Sequence, residues 1–154
     1  MSNVQKRMKE LGVSLPTAPA PVAAYLPAVR VGDLVFVSGQ IPFDGGRLVA
    51  SGPVPSEVVV QDATRAARQC VLNALAVLAG ELQGNLDRVR RIVRLGVFVA
   101  SDPGFTDQPT IANGASELLV EIFGDAGRHA RAAVGSVALP LGATVEVEMV
   151  AQVM

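Results

Sequence analysis

Two apolar stripes of helical period restrict the fold of this chain more than any other feature. Val60, Ala63, Ala67, Val71, Ala74 and Leu78 recur at three- and four-residue steps. Ile111, Ala115, Leu118, Leu119 and Ile122 repeat the pattern further on. Each stripe is the buried face of a long amphipathic helix. Ser56 can cap the first helix, which should end near Gly80. Pro109 suits the first turn of the second, with Asp107 or Gln108 at its cap and Gly124 at its end. Asn113-Gly114 inside it is locally unfavourable, since glycine there costs about 1 kcal/mol relative to alanine.

Strand-like runs surround both helices: "DLVFVSGQIP", a strand after the "FDGG" turn, "RRIVRLGVFVAS", "HARAAVGSVALP" and "ATVEVEMVAQV". In the first of these, Val35, Val37 and Ile41 face one way and Leu34, Phe36, Ser38 and Gln40 the other. The order β-β-α-β-α-β-β predicts an α+β fold, a single mixed sheet with two long helices on one face. Val4, Met8 and Leu11 predict a short helix ahead of it, followed by an extended Pro/Ala lead-in, "LPTAPAPVAAYLPAV". The chain reads as one domain, 1–154, with residues 1–24 as helix and lead-in and 25–154 as the core.

Only 18% of residues are charged, below the usual figure of about 25%. The sheet face away from the helices would carry Phe36, Gly96 and Phe98, and no helix remains to cover it, so a partner subunit is expected there. A net charge of −1 and 4% aromatics argue against nucleic acid as a partner. The cluster Arg88, Arg90, Arg91 and Arg94 is expected to be solvated or ion-paired. One cysteine, Cys70, permits no intrachain disulfide and falls beside an apolar stripe, as a small core residue. With a single histidine as well, no metal site is expected, and no cofactor is called for. The N-terminus lacks a signal-like apolar segment and no run reaches membrane-spanning length, so a soluble cytoplasmic protein without membrane contact is expected.

No G-x-G-x-x-G, P-loop, G-x-S-x-G or C-x-x-C is present, and Ser38 has no evident base. Attention falls on "GRHARAAVG", where Arg131 enters a strand start beside the sole histidine, His129. A planar guanidinium holds a carboxylate at two points, and burying it requires an anion. Alternation in "TVEVEMV" puts Glu146 and Glu148 on one face of what is expected to be the neighbouring strand. Either could pair with Arg131, or one could orient water as a general base. His129 is either a strand-edge residue bonded to backbone or a group of the site.

The ordered set "YLPAVRVGDLVFVSGQIP", "IVRLGVFV" with "DPGF", "ARAAV" with a later "LP", and "VEVEMVA" resembles the Rid family, also called YjgF-like proteins, of chorismate-mutase-like fold. The resemblance runs from about Tyr25 to Val153. It implies a homotrimer around a central barrel with small-molecule sites between subunits. It also implies hydrolysis of enamines and 2-imino acids to 2-keto acids and ammonia. Arg131 matches the carboxylate-binding arginine and Glu146 the water-positioning glutamate. Tyr25, Ser38, Gly39 and Asn113 match substrate-binding cleft residues. The sequence departs from the archetype in several places: "AAYLP" around the tyrosine, "HAR" for the commoner "PAR", and Ala133 where a cysteine often stands. These imply a reshaped cleft in which His129, Ser116 and Ala133 meet the ligand or its surroundings. A non-catalytic sensor of small carboxylate metabolites is the alternative, ahead of endoribonuclease or chaperone-like roles.

Overall fold

The computed structural model describes residues 1–18, 20 and 23–154; Pro19, Pro21 and Val22 of the expected lead-in lie outside the described residues. Helix α1 (Asn3–Glu10) buries Val4 and Met8, the expected stripe. Ser2 Oγ accepts from the Gln5 N–H at 3.1 Å while the Gln5 side chain accepts from the Ser2 N–H at 3.0 Å. This reciprocal capping satisfies donors that a helix start leaves open. The Asp87 carboxylate accepts from the Asn3 and Val4 N–H groups at 2.9 and 2.8 Å and so ties α1 to the domain. Those bonds, Val4's foremost, hold the Asp87 carboxyl below its ordinary range.

The other elements are β1 (Ala28–Val31), β2 (Leu34–Gln40), β3 (Phe43–Asp44), β4 (Arg47–Leu48), α2 (Val60–Glu81), β5 (Val89–Ala100), α3 (Gln108–Phe123), β6 (Ala130–Ser136) and β7 (Val145–Val153). Five strands form one mixed sheet in the order β1-β2-β7-β5-β6. All neighbours are antiparallel except β5 and β6, which run parallel and are joined through α3. Helices α2 and α3 pack on one face, α2 over β2 and β7, α3 over β5 and β6. The core between them includes Leu75, Leu78, Ile92, Leu95, Ile111, Leu118, Leu119 and Met149, all fully buried. Cys70 is in this core as expected, its thiol 3.6 Å from the Val145 carbonyl and its pKa pushed well up by burial.

Four local expectations are corrected. The lead-in contains a strand, β1, which turns through Gly32-Asp33 and pairs with β2 from Ala28↔Val37 to Val31↔Leu34. The "FDGGRLV" hairpin, β3-β4, leaves the main sheet and stands as a separate two-stranded ribbon. Asn73 of α2 draws the chain away, its Nδ2 donating to the Ile41 and Phe43 carbonyls at 3.0 Å each. Ser56 does not cap α2, whose N-cap is Val59; Ser56 instead donates its N–H and hydroxyl to the Asp102 carboxylate at 2.8 and 2.9 Å. Lastly, β2 shifts register against β7 between Val37 and Gln40, so Gln40 turns to the buried side rather than staying with Ser38. Two β2 residues there span what one would in a regular ladder, a β-bulge that re-aims the strand end.

Asn113-Gly114 also finds its reason. A Cβ on Gly114 would overlap the Thr64 carbonyl oxygen of α2 and lie 2.8 Å from Thr64 Cγ2. The glycine lets α2 and α3 cross in close contact, which offsets its helix penalty. Gly114→Val should destabilise the protein by about 2–3 kcal/mol, lowering Tm by roughly 5–10 °C in thermal unfolding. An unchanged Tm would show that the helices have room to part.

The sheet face opposite the helices is open. Val29, Phe36 and Val134 are each nearly half exposed there although every one sits within a strand. Apolar residues on a sheet face that no helix covers are ones that a second surface could bury.

Candidate functional site

Strand β6 is an edge strand, and its pairing decides where Arg131 points. Leu95 of β5 is the Cα partner of both Arg131 and Met149, and partners in a ladder share a face. Leu95 and Met149 are buried under the helices. Arg131 therefore lies on the helix side, at the sheet's edge, where α3 meets it. Arg131 Nη1 donates to Asn113 Oδ1 at 2.9 Å and to Ser116 Oγ at 3.1 Å. Asn113 and Ser116 are three residues apart on α3, the spacing that puts two side chains on one helix face.

Ser116 Oγ is also 2.9 Å from His129 Nε2, and His129 Nδ1 is 2.6 Å from the Gly127 carbonyl. The carbonyl can only accept, so Nδ1 carries the proton. Burial lowers the His129 pKa, the Gly127 bond works against that, and the Arg131 charge lowers it again. In the neutral ring, Nε2 accepts from the Ser116 hydroxyl, which leaves Ser116 Oγ to accept from Arg131.

Both Nη1 hydrogens of Arg131 are thereby used. Among the described residues no carboxylate pairs with Arg131, and its Nε and Nη2 make no hydrogen bond. The free Nε–H and Nη2–H lie along one edge of the guanidinium, a fork that fits a carboxylate at two points.

Glu146 is elsewhere. Its ladder partner on β5 is Phe98, and that of Glu148 is Gly96, both on the open face. Within one copy Glu146 and Arg131 thus occupy opposite faces of the sheet, with β5 between their strands. This corrects two expectations, that the glutamates sit on the strand next to Arg131 and that one of them pairs with it. Glu148 pairs instead with Arg94 at 3.2 Å. Arg131 is also exposed rather than buried.

Glu146 lies in a cleft of about 450 Å³ lined by Tyr25, Pro27, Gly39, Ile41, Phe43 and Leu141, among others. Burial first, and the neighbouring Glu148 charge second, raise its carboxyl above the ordinary carboxylate value. The β2 bulge makes room for it: a Cβ on Gly39 would overlap Glu146 Oε1 and lie 3.0 Å from its Cδ. Ser38, the other bulge residue, donates its hydroxyl to the Leu26 carbonyl at 2.7 Å, beside Tyr25.

The structure thus sorts the sequence-derived residues into two groups. Tyr25, Gly39 and Glu146 line the cleft, while Ser38, next to Gly39 on β2, lines a neighbouring hollow with Arg94 and Glu148. Asn113, His129 and Arg131 gather on the helix side of β6. Ala133 shares the Arg131 side, two residues along the strand, and packs partly buried against the core. Ile41, Phe43 and Leu141 were not anticipated as cleft walls. Asn73 carries the first two there, a tertiary contact with no local signal. Leu141 holds a positive φ of 56° without being glycine, which its sequence does not advertise.

A sequence model of the YjgF/chorismate mutase-like family, whose description adds endoribonuclease, matches residues 5–153. The chain belongs to that family. Among YjgF relatives, protein TCP17 of Trypanosoma cruzi is 43% identical over 94% of this chain and 91% of its own length. The 2-iminobutanoate/2-iminopropanoate deaminase of Dermatophagoides farinae is 31% identical over 90% of this chain and 92% of its own. The crystal structure of Atu1372 from Agrobacterium tumefaciens, a protein of unknown function, superposes with a TM-score of 0.93. It is 42% identical and covers 99% of this chain and 93% of its own. The mixed sheet with its helices on one face is therefore the YjgF-like fold. No helix of the described residues is long and apolar enough to cross a membrane.

Proposed function

We propose that this protein is an imine deaminase of the Rid type, hydrolysing 2-imino acids and their enamine tautomers to 2-keto acids and ammonia in the cytoplasm. The observation that carries this is Arg131, anchored through one nitrogen to α3 with its two-point carboxylate edge unpaired. Kinship with a deaminase from Dermatophagoides farinae supports the reaction class. Homotrimer formation through the open sheet face is part of the proposal. It covers the exposed Val29, Phe36 and Val134 and brings the Glu146 cleft of one copy to the Arg131 edge of the next.

In such a shared cleft Arg131 holds the substrate carboxylate and draws charge from the adjacent C=N carbon. Glu146 takes a proton from water as the water oxygen bonds to that carbon, and the C=N electron pair moves to nitrogen. Glu146 returns the proton to the nitrogen of the carbinolamine. Glu146 then takes the carbinolamine hydroxyl proton and passes it to the departing nitrogen as the C–N bond breaks, so ammonia leaves, the carbonyl of a 2-keto acid forms and Glu146 is deprotonated again. An enamine first gains a proton at its β-carbon and gives one up from nitrogen, entering as its imine tautomer. A carboxylate with a raised pKa suits both halves of this proton exchange.

The test is release of keto acid and ammonia from imino acids generated in situ by an amino-acid oxidase. Turnover above the spontaneous rate is expected; ligand binding without turnover across a broad panel would contradict the enzymatic role. Glu146 acts deprotonated, so kcat/KM should fall in acid, with an apparent pKa above the ordinary carboxylate value. Glu148→Gln removes the like charge that raises Glu146, so the acid limb should move to lower pH. A limb that stays in place would assign it to another group.

A further inference from the structure

We propose that Ser116 and His129 are positioning residues that select which edge of the Arg131 guanidinium faces the ligand. The proposal rests on Arg131 being the carboxylate-binding group. It replaces the expectation that His129 touches the substrate itself.

The chain of bonds runs in one direction only. Gly127 is fixed against α3, since a Cβ there would come within 2.6 Å of the Leu119 carbonyl carbon and 2.9 Å of the Val120 nitrogen. Its carbonyl takes the Nδ1 proton of His129 and fixes ring and tautomer. Nε2 must then accept, and the hydroxyl it can accept from is that of Ser116. With its hydrogen committed, Ser116 offers a lone pair to Arg131 Nη1, beside the lone pair offered by Asn113.

Two fixed acceptors on one nitrogen define the guanidinium plane and leave the Nε/Nη2 edge outward. Without His129 the Ser116 hydroxyl can rotate and donate elsewhere, and Nη1 loses a defined acceptor. A long side chain that reaches its bound conformation before the ligand arrives binds more tightly, because less freedom is lost on association. None of this requires His129 to reach the ligand.

The probe is 2-oxobutanoate, with binding measured by calorimetry on the intact oligomer and KM and kcat measured on the matching imino acid. Ser116→Ala and His129→Leu should each weaken binding and raise KM by roughly 5–10-fold, with kcat changed by less than about twofold. The double variant should be no worse than Ser116→Ala alone, because His129 acts only through Ser116. His129→Gln, whose amide oxygen can replace Nε2 as acceptor for the serine hydroxyl, should recover most of the loss.

Equal losses from His129→Leu in the wild-type and Ser116→Ala backgrounds would overturn the proposal and put His129 on the ligand. So would wild-type binding by both single variants while Arg131→Ala binds poorly; that result leaves Arg131 as the anion site. Unchanged binding by Arg131→Ala would overturn the carboxylate site and the proposal together.

Discussion

Arg131→Ala is expected to lower kcat/KM for 2-imino acids by about 10²–10³-fold, measured as keto-acid formation above the spontaneous rate. The estimate follows from losing a two-point, charge-assisted contact, worth about 3–4 kcal/mol when one partner is removed, at about 1.4 kcal/mol per tenfold. The loss should be specific to the ligand. Arg131 is exposed and its two bonds go to partly exposed polar side chains of α3. Tm should therefore fall by only a few degrees. An active Arg131→Ala enzyme would remove the basis for assigning carboxylate recognition to β6.

Glu146→Gln is expected to cut kcat by about 10²–10⁴-fold, the usual worth of a general base, while 2-oxobutanoate binding changes little. The amide is nearly isosteric and keeps the contact over Gly39, so the loss would report the proton rather than the shape. The variant should also be the more stable at neutral pH. The native Glu146 pKa is raised, so the folded state favours the protonated form and carries a penalty once the group ionises. That penalty is absent below the unfolded pKa and grows as pH rises through the folded one. A neutral glutamine removes it. A fully active Glu146→Gln enzyme would transfer the role of base to another group.

Much of this was legible in the sequence because it is periodic. The two stripes gave both long helices and their buried residues, and the alternation in "TVEVEMV" put Glu146 and Glu148 on one face of β7. Strand β1 carries a signal too, "RVGDL", a Gly-Asp turn between apolar residues, but the prolines before it masked four residues of strand. The β2 bulge carries one local mark, the isolated Gly39 inside a strand pattern, but the apolar alternation reads through it; Glu146 above Gly39 gives the break its reason. The relation between Arg131 and Glu146 was the larger miss. Strands that follow one another in sequence need not be neighbours, and β5 inserts between β6 and β7. The low charge content and the open sheet face are what motivate the proposal that a second copy brings the two together.

If each site takes its arginine from one copy and its glutamate from another, two inactive variants should complement each other. Arg131→Ala and Glu146→Gln, each nearly inactive alone, can be mixed in equal amounts and co-refolded. An interface then draws its Arg131 half from the Glu146→Gln chain half the time, and its Glu146 half from the Arg131→Ala chain half the time. About one quarter of the interfaces regain both groups in any closed ring of copies. Recovery of about a quarter of wild-type activity is expected. Activity no greater than the sum of the two separate variants would contradict a site shared between copies.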